Sequence, residues 1–256
     1  MGEIYDKYAE IYDATGQDEF GKRMLVDLHK ILKEVGIQPS RALDLACGTG
    51  TVAVLLAQEG IETWGVDASD KMLSVARRKA ELLHLPVTFV KQDMRCLNLG
   101  RTFDLITCFY DAINYILSES ELQTVFDRVA EHLNPDGLFV FDANTISALR
   151  DVWGNNSFAD DDGDVAYIWN NRYDPETGLA TLTATFFVKR PQIGENMYER
   201  FVEVHVEKGY PIKLLELMLQ RAGLTVITQY AHGKARPATE GDTRVVFVAQ
   251  KPRRED

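Results

Sequence analysis

Short apolar runs alternate with segments of helical spacing along this chain, beginning near Arg41. Arg41 to Ala46 (RALDLA) reads as a buried strand, followed by a glycine turn and a helix from Thr51 to Glu59. Ile61 to Asp67 is a second strand. Ser69 to His84 is a second helix, with Ser69 placed as its N-cap and Met72, Leu73, Ala76, Ala80 and Leu83 at helical spacing. Val87 to Lys91 and Phe103 to Phe109 are further strands. Ser118 to Leu133 forms a helix in which Ser118 and Glu121 are spaced as a capping box. Pro135-Asp136-Gly137 then turns the chain into a strand from Leu138 to Ala143. This alternation predicts an α/β fold with a parallel sheet covered on both faces.

The pattern changes after residue 154. Asn155 to Asp164 (NNSFADDDGD) is polar and turn-rich, a natural boundary. Val165 to Tyr173, Leu179 to Lys189 and Met197 to Val206 alternate with period two, with Leu182, Ala184, Phe186 and Val188 on one face. Asp174 to Gly178 supplies the turn between the first two runs. The expectation is a three-stranded antiparallel insert, too small to stand alone and packed across the main sheet. Pro211 to Ala222 returns to helical spacing, with Pro211 near N1 and Gly223 at the end. Thr225 to Ala231 and Thr243 to Gln250 close the chain as an antiparallel pair. The division is therefore residues 1–154 and 210–256 as one domain, carrying residues 155–209 as the insert.

Composition narrows the function classes. The chain has 256 residues, 45% of them apolar and 26% charged, which is ordinary globular composition. Lys plus Arg is 28 against 39 Asp plus Glu, a net charge of −11. No basic stripe interrupts that balance, so nucleic acid is not an expected partner. Cys47, Cys96 and Cys108 are odd in number and form no CxxC, which fits a reduced, cytoplasmic setting. The first residues lack a secretory pattern, and no apolar run is long enough to span a membrane. The five histidines show no metal-ligand spacing, and Asp160 to Asp164 lacks that of a calcium loop, so no metal is expected. Trp153, Trp169, Phe186 and Phe187 read as packing residues, with a substrate wall as the alternative. Lys251 to Arg254 is a short basic tail.

The strongest chemical signal is Asp44-Leu45-Ala46-Cys47-Gly48-Thr49-Gly50-Thr51-Val52-Ala53. A strand ends, Gly48 and Gly50 allow a tight turn against which a ligand can sit, and a helix begins with its amides free. Asp67, at the end of the second strand, is placed to accept both hydroxyls of a ribose. The GxGxxA spacing is compatible with a dinucleotide site, but that motif alone is weak. No Lys or Arg occurs between Asp44 and Gly60, and a P-loop is excluded for want of its lysine. A buried Asp44 would repel a pyrophosphate and attract an ammonium or sulfonium. Cys47 stands at a helix N-terminus, which can lower a thiol pKa, though a small packing residue is the simpler reading.

These residues resemble the first motif of class I S-adenosylmethionine-dependent methyltransferases. The likeness continues through Gly65-Val66-Asp67-Ala68-Ser69-Asp70-Lys71-Met72-Leu73, Gln92-Asp93-Met94, Phe103-Asp104-Leu105-Ile106 and Leu133-Asn134-Pro135-Asp136-Gly137-Leu138. Tyr5 to Asp13 and the antiparallel insert resemble the small-molecule branch, which includes glycine N-methyltransferase and the amino-sugar N-methyltransferases. The resemblance implies a Rossmann-like, doubly wound, mostly parallel seven-stranded sheet whose last strand is reversed. It also implies S-adenosyl-L-methionine as cofactor, S-adenosyl-L-homocysteine as product and a small-molecule methyl acceptor. Ala46, Cys47 and Gly48 would face the cofactor's amino-acid part, with Asp44 binding its ammonium directly or through water. Asp67 would hold the ribose, and Ala68 and Met72 would flank the adenine. Within Gln92-Asp93-Met94, Asp93 would accept from the adenine amino group and Met94 would offer its amide. Phe109 would lie near the methionine part, with Tyr12 in a covering N-terminal lid.

Methyl transfer needs alignment and exclusion of water, with a base only where the acceptor must lose a proton. Tyr110, Asp111, Asn114 and Tyr115, after the fourth strand, are expected to line the acceptor cavity, with Arg200, His205 and Tyr210 added by the insert and its exit. His205 and Asp111 are the candidate bases. Against that, Glu199, Glu203, His205 and Glu207 read equally well as a solvated strand face, and Asp111 as a structural cap. The sequence leaves acceptor atom and oligomeric state open, with nitrogen or oxygen favoured. An NAD(P)-linked oxidoreductase and a non-catalytic cofactor-binding protein are the alternatives.

Overall fold

The computed structural model describes residues 4–253. Strands β1 (Arg41–Leu45), β2 (Glu62–Asp67), β3 (Thr88–Lys91), β4 (Phe103–Cys108), β5 (Leu133–Asn144), β10 (Thr225–Ala231) and β11 (Arg244–Gln250) form one seven-stranded sheet. Its order is β10-β11-β5-β4-β1-β2-β3, parallel except where β11 runs antiparallel to both of its neighbours. Strands β6 (Ser157–Asp161), β7 (Val165–Asp174), β8 (Leu179–Lys189) and β9 (Tyr198–Lys208) form a second, wholly antiparallel sheet. The helices are α1 (Asp18–Val35), α2 (Thr51–Gln58), α3 (Asp70–Leu82), α4 (Glu119–His132) and α5 (Ile212–Arg221).

Neighbouring residues on one strand feed two different cores. Leu43, Leu45, Ile106, Phe139, Phe141 and Phe247 pack with α4 and α5. Ala42, Leu105, Leu138, Val140, Val246 and Val248 pack with α1 and α2 on the other face. That two-sided burial is why these strands read as near-continuous apolar runs. Ser69 and Ser118 cap as expected, accepting from the amides of Met72 (3.2 Å) and Glu121 (3.2 Å). Among the described residues no helix is long and apolar enough to cross a membrane.

The structure departs from the sequence reading in four places. Helix α1 lies before the rhythm that begins at Arg41, although Phe20, Met24, Leu25, Leu28, Ile31 and Leu32 form one buried stripe. Strand β5 starts directly at Leu133, and the Pro135–Gly137 segment becomes an irregularity in its pairing with β4. The insert has four strands, because Ser157–Asp161 pairs with β7 from inside the segment read as a turn. Ladder bonds need no apolar side chains, and an all-exposed acidic strand is a suitable protected edge. Finally, Tyr8 and Ile11, rather than the main sheet, cover the insert's apolar face of Val165, Ala184, Phe186 and Val188. Of the expected basic tail, Lys251 bonds the carbonyls of Ala130 and Leu133, and Arg254 lies outside the described residues.

Candidate active site

Strand β1 carries Asp44 to the carboxyl edge of the sheet, beside the crevice where the strand order reverses between β4, β1 and β2. Ala46 then enters the left-handed region at φ +57°, which costs a residue with a Cβ about 1–2 kcal/mol. The Cys47 amide donates to the Val66 carbonyl at 3.0 Å, which ties the turn to β2. A Cβ on Gly50 would stand 2.7 Å from the Ala76 Cβ, so bare backbone here lets α2 and α3 approach. A Cβ on Gly48 would meet nothing within 4 Å, because Gly48 faces an open cavity.

Two carboxyls flank this turn, Asp44 buried and Asp67 half-buried. Asp44 accepts from Thr107 Oγ1 (2.9 Å) and the Ala53 amide (3.2 Å). Burial nevertheless pushes its pKa up to about 7. Asp67 accepts from the amides of Gly48 (2.8 Å) and Ser69 (2.8 Å), and burial raises its pKa too. A carboxylate has about four lone-pair sites, so Asp67 retains acceptor capacity toward the cavity. Burial, with Asp67 and Asp44 nearby, pushes the Cys47 thiol up, so the helix terminus does not activate it.

The cavity has a volume of about 540 Å³, within the roughly 300–1,000 Å³ of small-molecule sites. All the residues expected at the cofactor line it: Tyr12, Asp44, Ala46, Cys47, Gly48, Asp67, Ala68, Met72, Gln92, Asp93, Met94 and Phe109. Besides Asp44 and Asp67, the side chains of Gln92 and Asp93 have protein partners of their own. Gln92 bonds the backbone of Asn98 at both ends of its amide, and Arg95 grips Asp93 through Nε (2.9 Å) and Nη2 (2.5 Å). Arg95 also meets Glu121 at 2.8 Å, so its charge is matched, and that arginine holds the Asp93 carboxyl below its ordinary range. Sequence reasoning missed the contribution of Gln17, Asp18 and Gly21 at the start of α1. It also missed the clasp above the turn, where Asp13 accepts from Thr49 Oγ1 (2.6 Å) and pairs with Lys79 (2.8 Å).

A second cavity of about 100 Å³ adjoins the first and shares Tyr5, Tyr12, Gln17, Tyr110 and Tyr115 with it. Asp111, His205, Glu207, Trp153, Trp169 and Arg244 complete much of its wall. Tyr110 and Asp111 both have positive φ, +64° and +51°, and Asp142 holds them there by accepting from both amides (2.6 and 3.0 Å). Arg244 donates to Asp111 at 2.7 Å and also to Asp142. The Tyr5 and Tyr115 hydroxyls are 2.8 Å apart, and Tyr115 meets His205 Nδ1 at 3.1 Å. Glu203 accepts the amides of Tyr5 (2.7 Å) and Tyr8 (3.1 Å), which seats the N-terminal segment on β9.

Several acceptor-side expectations change. Glu203, His205 and Glu207 point inward, so the solvated-face reading fails for them; Glu199 instead pairs with the exposed Lys7 and the half-buried Arg190. Arg200 has the opposite parity on β9 and is exposed, away from both cavities. Asn114 is fully buried and spends its amide on the backbone of Asn144 and Lys208, joining β5 to β9. Tyr210 donates to the Ile116 carbonyl inside the core. Trp169 is a cavity wall, whereas Phe186 is core packing. Glu207, Arg244, Asp142 and Tyr5 were not anticipated; the visible signal was an acid (Asp142) and a base (Arg244) placed in or beside apolar runs.

The cavities fit a ligand with a sugar and a cationic centre: carboxyls end β1 and β2, bare backbone at Gly48 leaves room, and the cationic wall residues are already paired. Comparison with known proteins agrees. A family model described as a methyltransferase domain matches residues 42–137. A Geobacillus sp. (strain WCH70) chain named as a candidate methyltransferase is 34% identical over 248 residues, covering 96% of this chain and 99% of its own. A Streptomyces fradiae dTDP-3-amino-3,6-dideoxy-alpha-D-glucopyranose N,N-dimethyltransferase is 33% identical, over 54% of this chain and 52% of its own. The crystal structure of an S-adenosylmethionine-dependent methyltransferase from Clostridium acetobutylicum ATCC 824 superposes with a TM-score of 0.84 at 31% identity, covering 98% of this chain and 100% of that one. The oxidoreductase alternative finds no support in these matches. With its Rossmann-like sheet, reversed last strand and full-length likeness to such an enzyme, the chain belongs to the S-adenosylmethionine-dependent methyltransferases.

Proposed function

We propose that this methyltransferase acts on the nitrogen of a small amine, with S-adenosylmethionine in the larger cavity and the acceptor in the smaller. The observation that carries this reading is the shared wall of tyrosines between a 540 Å³ cavity and a 100 Å³ cavity lined by Asp111 and Glu207. Carboxyls and aromatic faces favour a cationic guest, as an amine is near neutral pH. The N,N-dimethyltransferase from Streptomyces fradiae, matched over about half of each chain, supports the same class.

When bound, S-adenosylmethionine would supply an electrophilic methyl for in-line transfer to nitrogen, the carbon–sulfur electron pair leaving with sulfur. Asp67 would bind the ribose hydroxyls and Asp44 the amino-acid ammonium, with Ala68 and Met72 flanking the adenine beside Asp93 and Met94. Tyr12, Phe109 and Tyr110 would enclose the reacting centre and exclude water. Residues 155–209, latched to the N-terminal segment through Glu203, would act as the lid of a domain formed by residues 1–154 and 210–256.

The test is product formation from S-adenosylmethionine with matched acceptors: ethanolamine, glycine and galactosamine against ethylene glycol, glycolate and galactose. Turnover with amines alone supports nitrogen as the acceptor atom. Turnover with the hydroxyl series alone contradicts it.

A further inference from the structure

Glu207 has no role in the reading above beyond lining the wall. It projects from β9 into the smaller cavity, on the strand face shared by Glu203 and His205. Asn144 Nδ2 donates a hydrogen bond to it at 3.1 Å. The charged and titratable groups facing it are Asp111 from the turn after β4, Asp142 on β5, Arg244 on β11, Tyr115 and His205. Arg244 is the cation of this group, and Asp111 (2.7 Å) and Asp142 already share it. Among the described residues Glu207 forms no ion pair, so one guanidinium faces three carboxyls, Glu207 and Asp111 in the cavity wall and Asp142 outside it. Burial and Asp111 push the Glu207 carboxyl up to about 8, which narrows the gap to an alkyl ammonium, at roughly 10.4 for a lysine side chain. A second observation lies in the same wall. The indole Nε1 of Trp169 is buried and has no hydrogen-bond partner among the described residues, a costly arrangement that an oxygen on a guest would relieve.

Resting on the amine reading, we propose that Glu207 receives the acceptor as its ammonium and takes a proton from it before methyl transfer, the acceptor being a small amine that also carries an oxygen for Trp169. The ammonium nitrogen–hydrogen bond breaks and its electron pair stays on nitrogen as the lone pair that attacks. The proton forms an oxygen–hydrogen bond on Glu207 and later passes to solvent. Charge is conserved in the proton step, as a carboxylate and an ammonium become a carboxylic acid and an amine. Methyl transfer then regenerates a cation at nitrogen. Asp111 is already engaged by Arg244 at 2.7 Å, which leaves Glu207 as the cavity carboxyl without an ion pair among the described residues.

The experiment compares wild type with Glu207→Gln on two amines of similar size: ethanolamine, charged at neutral pH, and 2,2,2-trifluoroethylamine, largely uncharged there. S-adenosylhomocysteine binding, measured by calorimetry, should be equal in both proteins and certifies the fold. Expected for Glu207→Gln is a loss of roughly 100-fold or more in kcat/KM for ethanolamine, the usual size of a lost acid–base group. A much smaller loss is expected for trifluoroethylamine, together with disappearance of the wild-type rise in kcat/KM through about pH 8. Equal losses on both amines, or a wild-type pH profile in the variant, would overturn the proposal while leaving N-methylation intact. Failure of the wild type to methylate either amine contradicts the amine reading, and the proposal falls with it. Trp169→Phe, which keeps the wall and removes the donor, should raise KM for ethanolamine and leave that for trifluoroethylamine unchanged.

Discussion

Arg244 reaches Asp111 from the far side of the sequence, Nη2 to Oδ1 at 2.7 Å, and so fixes the turn between the two cavities. Its other nitrogen holds Asp142, whose oxygens in turn accept the amides of Tyr110 and Asp111. The guanidinium also lies over the rings of Phe20 and Tyr110, 4.6 and 5.6 Å from their centroids. One buried cation therefore sets the backbone that carries Tyr110 and Asp111, holding two consecutive residues at positive φ.

Removing that cation leaves two carboxyls buried without a counter-charge. Arg244→Met is expected to cost about 3–5 kcal/mol of unfolding free energy, the range for breaking a buried pair from one side. Urea unfolding of the two proteins measures it. A loss below about 1 kcal/mol, the size of an exposed pair, would mean that the carboxyls do not need Arg244.

Two glycines in one turn are expected to respond differently. Gly50→Ala adds a Cβ 2.7 Å from the Ala76 Cβ at φ +74°, so it should lower stability by about 1–3 kcal/mol through overpacking. Gly48→Ala, at φ +53°, meets no protein atom within 4 Å. Its cost to stability should stay near the roughly 1 kcal/mol of left-handed backbone, while its methyl group blocks the cofactor. Thermal melting and S-adenosylhomocysteine titration separate the two effects. The idea fails if Gly48→Ala binds normally.

If Asp44 binds the cofactor's ammonium as proposed, cofactor binding is expected to depend on pH. Its folded-state pKa, raised to about 7 by burial, means the empty cavity holds a proton at pH 6 that a bound ammonium would displace. Binding should release up to about one proton near pH 6, and affinity should rise as pH increases toward 7 and then level off. The stability sign is opposite: an up-shifted carboxyl favours the folded chain below the unfolded pKa, and that gain is lost as pH rises through about 7. Calorimetry at pH 6 in buffers of different ionisation enthalpy counts the released protons. Asp44→Asn should abolish the buffer dependence.

Legibility followed distance along the chain. The larger cavity is written locally: Asp44 to Gly50, Asp67 to Met72 and Asp93-Met94 each sit at a strand end and line it, the glycine turn and Asp67 being readable from the residues and Ala68, Met72, Asp93 and Met94 through the family resemblance. The acceptor side is assembled from Tyr5, Asp111, Trp169, Glu207 and Arg244, which lie on separate elements that only tertiary structure brings together. Strand β9 shows why even its parity was ambiguous. Val202, Val204 and Val206 make the apolar-looking face, yet Val202 is 41% exposed and His205 only 3%. The N-terminal tyrosines and the cavity bury the polar face instead, so hydrophobic alternation points the wrong way there. Edge strand β6 was hidden for a related reason, since backbone pairing leaves no apolar mark in an exposed strand.

The most direct test of the account is calorimetric titration of the purified protein with S-adenosylhomocysteine, with NAD and NADP as controls and Asp67→Ala as the variant. The account predicts saturable binding of S-adenosylhomocysteine alone at micromolar affinity or tighter, lost in a folded Asp67→Ala protein. Undiminished binding by that variant, or binding of NAD in place of S-adenosylhomocysteine, would contradict it.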